Sequence, residues 1–265
     1  MQKLLLFLFS TICFSSWGQE RFKPQATELS TVSVKSDTVP LPSIFISAHQ
    51  QLTTLSSKGE HYRGGVEIDP GRQIAVYYPN PDTLKSHIVK GISVLIERKF
   101  SYGRLKVNLR LPQHGNPAEK NELTTAYYIL PTLVDRHHTW VTFTLPDGFV
   151  MPKDGIFVSI EGMTASDDEK CTGITSIVKK AVTSDGSSRV DLMVRIQDNK
   201  GSERLVNLNE FPNLVSCSLS AEINSNTWVK ISPNPRFQFK RNSLTKLGNR
   251  VTAYDFATQL TLVSW

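Results

Sequence analysis

"GISVLIERKFSYGRLKVNLRLP", residues 91–112, carries two apolar series at a spacing of two: Ile92, Val94 and Ile96, then Leu105, Val107, Leu109 and Leu111. Successive side chains of an extended backbone point to opposite faces, so this alternation marks strands with one buried and one wet face. Ser101-Tyr102-Gly103 supplies a turn between the two runs, and the stretch reads as a hairpin. The pattern continues on both sides. "HTWVTFTLPDG" sets Val141, Phe143 and Leu145 against Trp140, Thr142 and Thr144, and "DGIFVSIEG" adds Ile156, Val158 and Ile160. "RVTAYDFATQLTLVSW" alternates up to Trp265, while "QIAVYYPNP" follows the turn signal Asp69-Pro70-Gly71. Short strands between Gly, Pro, Asn and Asp turns, without a long amphipathic helix, predict an all-β fold. The architecture expected is an antiparallel β-sandwich, jelly-roll-like, with an N-terminal extended arm and a long insertion.

The ends set the compartment. "MQKLLLFLFSTICFSSWGQE" joins the basic Lys3, an apolar run from Leu4 to Phe14 and the triplet Ser16-Trp17-Gly18, the layout of a secretory signal peptide over 1–18. The run is about 11 residues long, where a membrane-crossing helix needs about 20. The expectation is export to the periplasm, the outer-membrane surface or the medium, with no transmembrane segment in the mature chain. Residues 19–59, with Pro40 and Pro42, read as an extended arm or edge strand, and 60–265 as the sandwich domain.

Within that domain "TASDDEKCTG", "TSDGSS", "QDNKGSE" and "EINSNT" are polar turns around one convincing strand, "RVDLMVRIQ". The stretch from about 164 to 227 therefore reads as an insertion between core strands. Both cysteines of the mature chain, Cys171 and Cys217, lie in it. An oxidising compartment allows them to pair, and closing a loop of about 45 residues would stabilise the fold by roughly 4 kcal/mol. Two buried free thiols are the alternative. Their separation, without histidines at finger-like spacing, argues against zinc.

Thirty Lys and Arg against 24 Asp and Glu leave a formal charge of +6 on 265 residues. That modest, dispersed excess allows a preference for anionic partners and does not indicate nucleic acid. Basic and aromatic residues nevertheless cluster twice: Lys99, Tyr102, Arg104, Lys106 and Arg110 around the first hairpin, and Phe237, Phe239, Lys240 and Arg241 in "RFQFKRNSLTK". Aromatic rings stack on sugars as they do on bases, and flanking cations hold acidic groups, which makes an acidic envelope polysaccharide a sensible ligand. A Lys- and Arg-rich solvated strand face explains the same residues without a ligand.

Catalytic signals are weak. Ser176-Ile177-Val178-Lys179 has the S-x-x-K spacing but no accompanying K-T-G motif, and G-x-S-x-G, H-E-x-x-H and glycine-rich phosphate loops are missing from the sequence. His137 and His138 are adjacent, so a strand would send them to opposite faces. Asp167-Asp168-Glu169 lacks the spacing of a calcium loop and reads as a solvated acidic turn. The reading is a protein without cofactor, metal or catalytic motif.

Taken in order, "LKVNLRL" (Leu105 to Leu111), "WVTFTL" (Trp140 to Leu145), "PKDGIFVSIE" (Pro152 to Glu161) and "WVK" (Trp228 to Lys230) resemble a family. It is an uncharacterised β-sandwich domain of exported Bacteroidetes proteins, often found beside carboxypeptidase-regulatory-like domains. The resemblance spans roughly 60–265 and implies the fold; it brings no catalytic residue with it. The function expected is a non-catalytic binding or adhesion module of the cell envelope, glycan being the favoured ligand. The alternatives are an assembly subunit that docks to an outer-membrane protein and a hydrolase with a non-standard site.

Overall fold

The computed structural model describes residues 51–56, 61–180, 188–219, 225–231, 238–242, 245–247, 250–252 and 254–264. The signal segment, most of the arm and Phe237 lie outside these residues. In chain order the first strands are β1 (Gln51–Ser56), β2 (His61–Glu67), β3 (Gln73–Tyr78), β4 (His87–Ile96), β5 (Arg104–Gln113), β6 (Asn116–Glu122), β7 (Tyr127–Ile129), β8 (Thr139–Val150) and β9 (Ile156–Met163). They are followed by β10 (Glu169–Lys180), β11 (Ser188–Asp198), β12 (Glu203–Asn207), β13 (Asn213–Ser218), β14 (Thr227–Lys230) and β15 (Lys240–Arg241). The last are β16 (Thr245–Leu247), β17 (Arg250–Thr252), β18 (Tyr254–Phe256) and β19 (Thr258–Ser264). The fold is all-β and its strand pairs are antiparallel.

Two sheets face each other. One runs β1-β19-β4-β8, and the other runs β15-β14-β3-β9-β5 with β6 and β7 side by side on the far edge of β5. Before β10 the chain passes from one sheet to the other at β2–β3, β3–β4, β4–β5, β7–β8 and β8–β9. The sets β1-β19-β4-β8 and β3-β9-β5-β6 have the strand order of a jelly roll, two four-stranded sheets closed over one core. Ile92, Val94 and Ile96 from β4 meet Leu105, Val107 and Leu109 from β5 in that core, together with Ile74, Val158, Ile160 and Leu260.

This corrects the hairpin reading of 91–112. β4 and β5 lie in different sheets, and residues 97–103 carry the chain across the edge of the sandwich. Alternation shows which side chains face the core; it is blind to the side of the core from which they approach. Gly103 makes the crossing feasible: its φ is +80°, and a Cβ there would stand 2.9 Å from the carbonyl oxygen of Met163 and 3.0 Å from the Phe211 ring.

The region expected as an insertion is more structured than its sequence suggested. β10, β11 and β12 form a separate three-stranded sheet. β13 then pairs with β2 and β18 in the first sheet, and β14 joins the edge of the second beside β3. Residues 164–257 thus lie in sequence between the core strands β9 and β19 and contribute β13 and β18 to the first sheet and β14 and β15 to the second. Cys171 sits half-buried on β10 and Cys217 buried on β13, and both are free thiols; the disulfide is not formed. The strands that bear them belong to different sheets, which removes the expected clamp.

Candidate functional site

Most of the sequence-predicted binding residues hold the molecule together. Tyr102, at the crossing between the sheets, is 9% exposed and packs edge-on against Phe211, with Val194, Ile196 and Val206 of the three-stranded sheet around it. Its hydroxyl donates to Glu169 Oε2 at 2.5 Å and accepts from Arg204 Nη2 at 3.1 Å, while the Arg204 guanidinium lies 4.8 Å from its ring centroid. Desolvation, followed by the Glu169 carboxylate, raises the Tyr102 pKa. Arg104 pairs with Asp167 and Arg204 with Glu169. The acidic turn stands in solvent, as its exposed Asp167 and Asp168 show, and still ties the excursion to the sandwich through Arg104–Asp167 and Tyr102–Glu169.

Further along β5, Lys106 Nζ meets Glu122 Oε1 at 2.8 Å. Arg110, 3% exposed, donates to the carbonyls of Ala118 and Glu119 and approaches Glu122 at 3.5 Å. The expected wet face of β5 is therefore occupied at Lys106 and Arg110 by partners within the protein. Phe239 is 7% exposed, its ring centroid 6.0 Å from the Arg110 guanidinium and 5.9 Å from Lys230 Nζ, so it caps two cations rather than offering a face. Lys99 and Lys240 are exposed, and Arg241 alone of the predicted set lines a sizeable cleft.

That cleft lies on the outer face of the second sheet. Register places Trp228 beside Ala75, Tyr77 beside Phe157, and Phe157 beside Arg110, all on the side away from the core. Adjacent tyrosines illustrate the alternation: Tyr78 points inward, its hydroxyl 2.7 Å from Thr258 Oγ1, and Tyr77 points outward. Phe157 lies 5.1 Å from both Tyr77 and Trp228, the latter pair at an interplanar angle of 89°. Such contacts contribute about 0.5–1.5 kcal/mol each beyond area burial, enough to fix the rings as a floor.

The cleft encloses about 590 Å³ and is lined by Tyr77, Pro112, His114, Gly115, Asp154, Asn226, Trp228 and Arg241. The Tyr77 hydroxyl donates to the Asp154 carbonyl at 2.7 Å, and desolvation with the nearby Asp154 charge raises its pKa. Trp228 Nε1 donates to Asn116 Oδ1 at 3.0 Å, tying the floor to the β5–β6 hairpin. One wall is the two-residue turn His114-Gly115, with φ of 51° and 78°, the signature of a type I′ turn. The opposite wall rests on a buried carboxylate. Asp255, fully buried, accepts from Ser225 Oγ at 2.6 Å, Asn226 N at 2.9 Å and Thr227 Oγ1 at 2.9 Å. Ser225 presents its carbonyl to Arg241 Nε at 2.8 Å.

Chemically this is a preformed concavity with aromatic, amide, carboxylate, imidazole and guanidinium groups around one opening, the composition of a small-ligand site. Its lining offers one carboxylate, Asp154, where the usual glycoside hydrolysis needs a pair. Ser176 and Lys179 sit on strand β10, whose extended backbone does not give the one-helical-turn spacing that the S-x-x-K geometry needs. His137 and His138 are exposed beside β8, and among the described residues no group of three or more His, Cys, Asp or Glu is placed to hold a metal.

Sequence reasoning missed Tyr77, His114, Asp154 and Asn226. Tyr77 was legible as the outward member of a tyrosine pair on an alternating strand. His-Gly flanked by Gln113 and Asn116 was legible as a tight turn, although the segment reads by composition as a polar loop. Asp154 and Asn226 carry no local signal; only the tertiary fold brings them to the cleft.

The fold and site define an antiparallel jelly-roll sandwich with an aromatic-floored cleft on one outer face. No family model matches the chain, and no curated protein matches it. Among solved structures the chain is similar to one in the 2.6 Å structure of infectious bursal virus derived T=1 particles. The TM-score is 0.26 and the identity 10%, over 89% of this chain and 44% of that one, so the chain spans less than half the length of the protein it matches. Nothing about function is taken from a likeness at that level.

Proposed function

We propose that the protein is an exported, non-catalytic binding module of the cell envelope, and that its ligand is a glycan seated in the cleft against Tyr77, whose ring is only half-buried. The observation that carries this reading is the cleft itself: a ring floor fixed by Phe157, with hydrogen-bonding groups at Asp154, Asn226 and His114 around its rim. Sugars present an apolar ring face and a rim of hydroxyls, and this arrangement answers both. The signal-like first 18 residues support export. A glycan array probed with the mature chain tests the reading. Binding to a defined glycan class, lost in Tyr77→Ala and kept in Tyr102→Phe, is the expected result; an empty array, or loss only in the Tyr102 variant, would sink it.

One further observation favours an assembly role as the second reading. On the β10–β11 pair Ile174, Val190 and Leu192 share one face and are 50%, 55% and 45% exposed, continuing the face on which Val194 and Ile196 are buried. An apolar strip of this kind suits a protein partner in the envelope. Crosslinking and pull-down would support it by recovering one stoichiometric partner that is lost in Leu192→Ser.

A further inference from the structure

We infer that the cleft selects glycans bearing an acid group and that Arg241 is the residue that binds that group; the inference rests on the reading of the cleft as a sugar site. Arg72, Arg98, Arg104, Arg110 and Arg204 each meet a carboxylate within the protein. Arg241 does not. Its Nε donates to the Ser225 carbonyl at 2.8 Å, its guanidinium carbon lies 5.1 Å from the Trp228 ring centroid, and its two Nη groups carry no hydrogen bond among the described residues. The side chain is exposed yet held in place twice, by a hydrogen bond at Nε and by a ring beneath its plane.

The support beneath it is rigid as well. Ser225, which accepts the Nε bond, is 3% exposed and anchored through its hydroxyl to Asp255. A guanidinium immobilised in this way, with no carboxylate paired to it among the described residues, is preorganised to receive a carboxylate or sulfate bidentately. Little ordering cost remains to be met when the ligand arrives.

The opposite wall supplies two independent features. His114 occupies a left-handed position, φ 51°, at the first central residue of a type I′ turn, where Asn or Gly fits with less strain. Strain kept at a cleft wall points to use of the side chain, and an imidazole there adds a donor to an acidic ligand. Asp154 repels an acid group and accepts sugar hydroxyls. A ligand with both kinds of group is therefore oriented, its acid towards Arg241 and its hydroxyls towards Asp154.

Calorimetry with short oligogalacturonates and their carboxyl-reduced, neutral counterparts tests the assignment, with chondroitin sulfate and a neutral galactan oligomer as a second pair. The expected result is a preference of about tenfold or more for the acidic member, removed in Arg241→Gln and largely removed in Arg241→Lys, which keeps the charge and loses the fork. Both variants lose the Nε bond to the Ser225 carbonyl, so they should melt slightly below the wild type, and thermal scans confirm that they fold. Equal affinity for acidic and neutral members, or an acid preference that survives in Arg241→Gln, overturns the inference and leaves the glycan reading standing. Binding of none of the four probes overturns both.

Discussion

At the scale of single residues, Tyr102 shows how a ligand-like signature arises from internal packing. A tyrosine among cations resembles a recognition site in a sequence, yet here it is the peg on which the three-stranded sheet hangs. Removing the hydroxyl alone, in Tyr102→Phe, should cost about 1 kcal/mol, and removing the ring in Tyr102→Ala about 3–5 kcal/mol, read from denaturant melts. Hydrogen exchange should then rise first in β10–β12. The thiols make a second test at this scale. Burial, followed by the Asp255 charge, pushes the Cys217 thiol up to about 11, and desolvation raises Cys171 as well. Both should resist Ellman's reagent in the native protein at pH 8 and react in denaturant without reductant; a silent denatured sample would show a disulfide. Because the folded-state thiol value lies above the ordinary 9.0, stability is fully present below pH 9 and falls as pH rises towards 11. Cys217→Ala should flatten that alkaline limb.

At the scale of elements, the period-two pattern reported inward faces faithfully and outward faces poorly. Leu105, Val107 and Leu109 are buried as the alternation requires. The alternate residues Asn108 and Arg110 are 2% and 3% exposed; Phe239 and the carbonyls of Ala118 and Glu119 close over Arg110, a tertiary event with no trace in the local sequence. The excursion was hard to read for a related reason. β10 carries Thr172, Gly173, Thr175 and Ser176 among few apolar residues, and its inward anchors, Tyr102 and Phe211, lie far away in sequence or outside the strand. The β5–β6 hairpin yields the prediction that belongs to this scale. His114→Asn relieves the left-handed strain and should raise stability by about 0.5 kcal/mol. It should weaken glycan binding in the same protein, so that thermal midpoint and affinity move in opposite directions.

At the scale of the whole molecule, the jelly roll is a support for two outward-facing features, the cleft on the second sheet and the apolar strip on the excursion. The fold class was legible because eight or so alternating runs leave few alternatives to a closed antiparallel core. The site was half legible. Arg241 stood out by type, whereas Tyr77, Trp228, Asp154 and Asn226 converge only after β3, the loop before β9 and the start of β14 are brought side by side in the sheet. The residues flagged near Lys99 to Lys106, which looked more ligand-like, are engaged in ion pairs that close the structure on itself, Lys99 apart. The most direct test is chemical-shift mapping of the isotope-labelled mature chain during titration with the best glycan from the array. The account predicts perturbations confined to Tyr77, Pro112 to Gly115, Asp154, Asn226 to Trp228 and Arg241, with the Trp228 indole N–H among the largest. Perturbations centred on Lys99 to Lys106, or on the β10–β11 strip, with the cleft unmoved, would contradict it.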